Sequence, residues 1–128
     1  MNRRSSLRLL GFVLLVVAPG CDSPFLPGGG DVRIRIANNS SFAFDRVEVV
    51  FPEDAIEYGA IGAGGVSEYA QVSAAYRYAY IEVEIDGEEL KIQPIDYVGE
   101  TPLEPGRYTY QLNVTIEGHL TLAFREDR

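Results

Sequence analysis

From residue 31 onward, apolar side chains alternate with polar or charged ones, and this two-residue period demands strands and leaves no room for amphipathic helices. In Val32-Arg33-Ile34-Arg35-Ile36 the valine and isoleucines fall on one face and both arginines on the other. Asn38-Asn39-Ser40-Ser41 ends that run. Val47, Val49 and Phe51 repeat the pattern against Arg46 and Glu48 until Pro52, which has no amide hydrogen to offer a neighbouring strand. The stretch from Ile56 to Ile61 is less regular. Gly59, Gly62, Gly64 and Gly65 mark a loop, and Val66 to Val72 reads as a further short strand.

The longest strand signal runs from Ala75 to Asp86. Asp86-Gly87 suits a tight hairpin because both residues tolerate positive φ, and Glu88 to Gln93 is its partner. Pro94, Pro102 and Pro105 punctuate the next segment, and Leu103-Glu104-Pro105-Gly106 reads as a turn into Tyr108 to Ile116. Glu117-Gly118 then turns the chain into Leu120, Leu122 and Phe124. Seven or eight short strands, with turns about every 8–12 residues, predict an antiparallel β-sandwich of immunoglobulin-like or prealbumin-like type. A small β-barrel is the alternative, since strand pattern does not fix closure. Residues 31–128 suffice for one domain with one core.

The first 20 residues have a different character. Arg3, Arg4 and Arg8 precede the apolar run Leu9 to Ala18, and Ala18-Pro19-Gly20 leads to Cys21, the single cysteine of the sequence. This arrangement resembles the signal peptide and lipobox of bacterial lipoproteins. The resemblance implies cleavage after Gly20, palmitate-type acylation of Cys21 and attachment to a membrane of the cell envelope. The apolar run is shorter than the ~20 residues a spanning helix needs. Asn2-Arg3-Arg4-Ser5-Ser6-Leu7-Arg8 is similar to a twin-arginine export signal, although the charge of an ordinary leader accounts for it equally. Residues 21–30, with Pro24, Pro27 and Gly28-Gly29-Gly30, form a linker by composition. Asp22 resembles the inner-membrane retention signal of enterobacterial lipoproteins. Thr101 to Tyr110 resembles the turn into a late strand of many extracellular β-sandwich modules. Together these features resemble small β-sandwich lipoproteins of bacterial envelopes, and imply periplasmic or surface exposure.

Charge narrows the partners. The sequence has 11 basic and 19 acidic residues, and loss of the three leader arginines leaves a formal charge of −11. Such a domain lacks the Lys and Arg surplus that nucleic acid binding requires. With a single cysteine no internal disulfide forms, so the core alone must supply stability.

Tyr76, Tyr78 and Tyr80 share one phase of the long strand with Glu82, Glu84 and Asp86, whereas Arg77, Ala79, Ile81, Val83 and Ile85 take the other. An exposed tyrosine row would stack on sugars or receive a protein partner. Cross-strand packing explains the same residues more economically. Arg77, in the core phase, signals that the strand starts later or shifts register. Two acidic groups, Glu53-Asp54 with Glu57 and Asp86 with Glu88 and Glu89, offer calcium-type oxygens, but neither matches a calcium loop, so no metal or cofactor is expected. His119, the single histidine, follows a turn glycine on the outward side of the last strand, and Ser67 and Ser73 carry no nucleophile motif, so no catalytic residue is assigned. Asn38-Asn39-Ser40 and Asn113-Val114-Thr115 match the N-glycosylation pattern, which has no meaning in a bacterial envelope.

The expectation is a membrane-tethered, non-enzymatic interaction or structural module that binds an envelope protein through a sheet face or loops. A glycan-binding or small glycan-active hydrolytic domain is the alternative.

Overall fold

The structure, a computed structural model, describes residues 31–94 and 99–127. The leader, Cys21 and the linker to Gly30 lie outside the described residues. Those residues form eight strands and no helix: β1 (Val32–Asn38), β2 (Arg46–Val50), β3 (Ala55–Glu57), β4 (Ala70–Val72), β5 (Tyr80–Ile85), β6 (Glu88–Ile92), β7 (Gly106–Val114) and β8 (Leu120–Asp127). They make two four-stranded sheets, ordered β4-β1-β7-β8 and β3-β2-β5-β6. The sheets stay open, so the fold is a β-sandwich and not a closed barrel.

The core follows the alternation. Ile34 and Ile36 of β1 and Tyr110 and Leu112 of β7 meet Val47, Val49, Ile81 and Val83 of the second sheet, and all eight are fully buried. Burying each of these aliphatic side chains contributes about 1.5–3 kcal/mol. Phe51 and Tyr110 stack across the sandwich with ring centroids 6.2 Å apart.

The one exception among these pairings to an antiparallel arrangement is β1 with β7, which run parallel in register from Val32↔Gly106 to Asn38↔Leu112. A parallel pair needs a long crossover, and the intervening chain supplies it by building the whole second sheet. As a result both strands begin at the end of the sandwich where the chain enters at Asp31 and finish at the far end.

The strand expected from Ala75 to Asp86 is shorter, starting only at Tyr80. Residues 73–79 carry the chain from β4 in one sheet to β5 in the other, and their carbonyls bond outside any ladder. Leu103 N–H donates to the Ala75 carbonyl at 2.8 Å, and the Tyr110 hydroxyl to that of Tyr76 at 2.6 Å. The chain bends at Arg77, which is exposed, while Ala75 and Ala79 on either side are buried. The expected strand Val66 to Val72 is likewise reduced to β4, with Val66 held by a single bridge to Ala37. The Asp86-Gly87 hairpin forms as expected, with φ of 51° and 80°.

Candidate functional site

The sequence placed Tyr76, Tyr78, Tyr80, Glu82 and Glu84 on one strand face, and the structure brings only the last three together. Tyr80, Glu82 and Glu84 project from β5 on the outer face of the second sheet. Tyr76 and Tyr78 belong to the bent crossover, half-buried, so the tyrosine row is not continuous.

Around the three β5 residues the outer face is acidic. Glu48 stands directly opposite Glu82 on the neighbouring strand and Glu84 opposite Glu89, two like-charge pairs that weaken the sheet. Lys91 faces Glu82 from the other side, and Arg46 holds Glu48 and Glu57 at 3.1 Å each. The Tyr80 hydroxyl donates to Glu82 Oε2 at 2.6 Å. This bond raises the Tyr80 phenol and lowers the Glu82 carboxyl from their ordinary values. Tyr80 also borders a shallow depression of about 330 Å³ with Val50, Phe51 and Pro52.

The outer face of the first sheet has the opposite character and was not singled out from sequence. Arg33 and Arg107 are direct neighbours on β1 and β7, and Arg35, Thr109 and Arg125 form the next row. Tyr69 lies over this face, its ring 4.9 Å from the Arg35 guanidinium and 5.8 Å from that of Arg107, and its hydroxyl donates to Asp127 Oδ2 at 2.8 Å. Thr109 is fully buried beneath, although its phase in β7 is outward. Its hydroxyl donates to Asp127 Oδ2 at 2.6 Å and accepts from Arg35 Nε at 3.0 Å. Burial pushes the Asp127 carboxyl up, but hydrogen bonds from Thr109, Tyr69 and Arg125 outweigh it and hold the group below the ordinary carboxylate value. Arg35, Thr109, Arg125, Asp127 and the Tyr69 hydroxyl satisfy one another, with Arg107 reaching the group only through the Tyr69 ring, so the cluster is a clasp across the sheet.

At the end of the sandwich away from Asp31, a buried polar residue organises the loops. Asn38 is fully buried, and its carboxamide nitrogen donates to the Phe42 and Ile61 carbonyls at 2.7 and 3.0 Å. Its oxygen accepts from Ser40 N–H and Ser40 Oγ at 2.9 and 2.7 Å. Its main chain bonds Gly65 and Gly64. Every hydrogen-bonding group of the residue is therefore used. Two apolar side chains on the segments it fixes, Phe42 and Val66, are 47% and 54% exposed, and Ile116 in the β7–β8 connection at the same end is fully exposed.

The remaining candidates are dispersed. Asp54 accepts the Ser73 N–H at 2.9 Å, and the Asp86 N–H donates to Asp45 at 2.8 Å. Among the described residues no three acidic, histidine or cysteine side chains are grouped to hold a metal ion. His119 is exposed in the β7–β8 turn, where its N–H bonds Thr115 Oγ1. The Ser67 hydroxyl accepts the Ile36 N–H and donates to the Glu68 carbonyl, a structural role.

No protein-family model and no curated protein sequence matches the chain. Among solved structures, the NMR structure of a protein from Eubacterium rectale superposes with a TM-score of 0.58 over 82% of this chain and 98% of that one, at 10% identity. This likeness shows a shared fold.

Proposed function

We propose that this chain is a membrane-tethered, non-enzymatic interaction module of the bacterial cell envelope, anchored through acylated Cys21 and binding a protein partner through the loops at the far end of the sandwich. The observation that carries this reading is the position of Phe42, Val66 and Ile116. All three expose apolar surface at the end opposite Asp31, where a domain held by its N-terminus faces away from its membrane. Apolar side chains exposed at one end of a domain are suited to the buried centre of a protein interface. The Asn38 network supports the same reading, because loops held in one conformation lose less entropy when a partner binds. Asp31 stands ten positions beyond Cys21, which allows a reach of at most roughly 35 Å.

The test is crosslinking of the full-length protein in intact envelopes. Cys21→Ser is expected to release the protein from the membrane fraction. A crosslinked partner is expected with the parent chain and with Tyr80→Ser, and should be lost in a Phe42→Ser/Ile116→Ser variant. A partner retained in that double variant but lost with Tyr80→Ser would move the interface to the acidic sheet face, and continued membrane attachment of Cys21→Ser would remove the tether.

A further inference from the structure

We propose a second binding site, at the opposite end from the loops: a cleft between the close of β8, the start of β7 and residues 99–104 that takes a short glycan of one or two neutral or amino-sugar rings. The cleft has a volume of about 440 Å³ and is lined in part by Arg77, Glu100, Glu104, Tyr108, Phe124 and Glu126. That volume lies within the ~300–1,000 Å³ of typical small-molecule sites.

The accessible part of its floor is the Phe124 ring, backed by Tyr108, which is only 4% exposed. Phe124 is half-buried and stacks on Tyr108 with centroids 5.5 Å apart and planes 27° from parallel. The Tyr108 hydroxyl donates to the Glu104 carbonyl at 2.6 Å, which fixes both that ring and the turn forming one wall. Burial raises the Tyr108 phenol, with the Glu126 and Glu104 carboxylates adding to the effect, so the floor is uncharged across the physiological range.

The rim is charged and uncommitted. Among the described residues, the side chains of Arg77, Glu100, Glu104 and Glu126 make no ion pair and no hydrogen bond with one another or with other side chains. Arg77 makes one contact, its guanidinium 6.0 Å from the Phe124 centroid, the outer limit of a cation–π interaction. The contrast with the Tyr69–Asp127 clasp lies in the carboxylates: there Asp127 accepts from Thr109, Tyr69 and Arg125, and here Glu100, Glu104 and Glu126 border a concavity without a side-chain donor among the described residues.

A flat aromatic floor under planar charged groups matches the chemistry of a sugar ring. Its C–H face packs on the aromatic ring, and its hydroxyls donate to carboxylates and accept from a guanidinium in charge-assisted hydrogen bonds. Three carboxylates against one arginine reject acidic sugars and favour neutral or amino sugars. The cleft shares no residue with the far-end loops, so the two proposals fail or succeed separately.

The experiment is an amide-shift titration of the full-length chain in detergent micelles, with tri-N-acetylchitotriose and cellotriose as probes and trigalacturonic acid and trilysine as controls. The expected result is saturable shifts at Thr101, Leu103 and Phe124 with at least one of the two neutral probes, and none with trigalacturonic acid. Glu104→Gln and Arg77→Gln alter exposed side chains outside the core, and each is expected to weaken binding about tenfold while leaving the remaining spectrum unchanged. No shifts with either sugar, shifts that survive both substitutions, or tighter binding of trilysine at the same residues would each overturn the proposal.

Discussion

The carboxamide nitrogen of Asn38 lies 2.7 Å from the carbonyl oxygen of Phe42, deep enough that Asn38 has no exposed surface. Removing this side chain strands the Ser40 N–H and takes one donor each from the Phe42 and Ile61 carbonyls, which keep only Ser40 Oγ and the Phe44 N–H. Asn38→Ala is expected to destabilise the fold by about 2–4 kcal/mol, since the stranded Ser40 N–H costs about 1–3 kcal/mol, the bonds lost at the two carbonyls about 0.5–1.5 kcal/mol each, and part of the network will relax. For a domain of this size that is a fall in Tm of at least about 8 °C. The exposed neighbour Asn39 provides the control, and Asn39→Ala is expected to change stability by less than about 0.5 kcal/mol. Urea unfolding of both variants decides it, and equal effects would mean the network adds nothing.

Tyr110, at the middle of β7, offers a second test. Its ring is fully buried between the sheets, and its hydroxyl reaches the Tyr76 carbonyl at 2.6 Å, pinning the crossover to β7. Tyr110→Phe keeps the ring and removes the bond, and should cost about 1–2 kcal/mol. Hydrogen exchange in residues 75–79 should accelerate more than in β2. Uniform acceleration would show that the bond supports only global stability.

These two residues also show how far the sequence can be read. The alternation located the sandwich, most strands and the inward residues, because a half-buried strand must repeat every two residues. Asn38 was legible in principle: it continues the inward phase of Val32, Ile34 and Ile36, so its burial follows from counting. The Asn-Asn-Ser-Ser composition pointed instead to an ordinary strand end. The crossover was hidden for a different reason. Tyr76, Arg77, Tyr78 and Ala79 keep the strand period, yet a change of sheets must occur between β4 and β5, and tertiary hydrogen bonds from Leu103 and Tyr110 override the local pattern there. Thr109 could not be found locally at all. Arg35, Arg125 and Asp127 from the two neighbouring strands close on its hydroxyl, and Tyr69, forty residues earlier, is tied to Asp127 from outside the sheet. The aromatic-floored cleft was equally out of reach, since Arg77, Glu104 and Phe124 meet only through the fold.

The β5–β6 hairpin depends on left-handed backbone at two successive residues. Gly87 has φ of 80° and open space where a Cβ would sit, so the cost of a side chain there is conformational and not steric. Gly87→Ala is expected to destabilise by about 1–2 kcal/mol, and Gly87→Asn by less, since asparagine tolerates this region. Chemical denaturation of the pair checks it. Equal losses for alanine and asparagine would point to a contact made by the glycine itself.

Acid should loosen the clasp on the first sheet. The folded-state pKa of Asp127 lies below its ordinary value of about 3.9, so the ionised form is bound more tightly by the folded chain than by the unfolded one. A depressed carboxylate contributes stability that is fully present at neutral pH and disappears as pH falls from about 4 through the folded-state value. Asp127→Asn forfeits that contribution while retaining one acceptor oxygen for Thr109 and Tyr69. The difference in unfolding free energy between parent and variant is therefore expected to be about 1–3 kcal/mol at pH 7, similar at pH 5, and to shrink progressively as pH falls below about 4. Urea midpoints across that range measure it. A difference that stays constant down to pH 2 would mean Asp127 acts through its shape and neutral hydrogen bonds, with its charge contributing nothing to holding Tyr69 across the sheet.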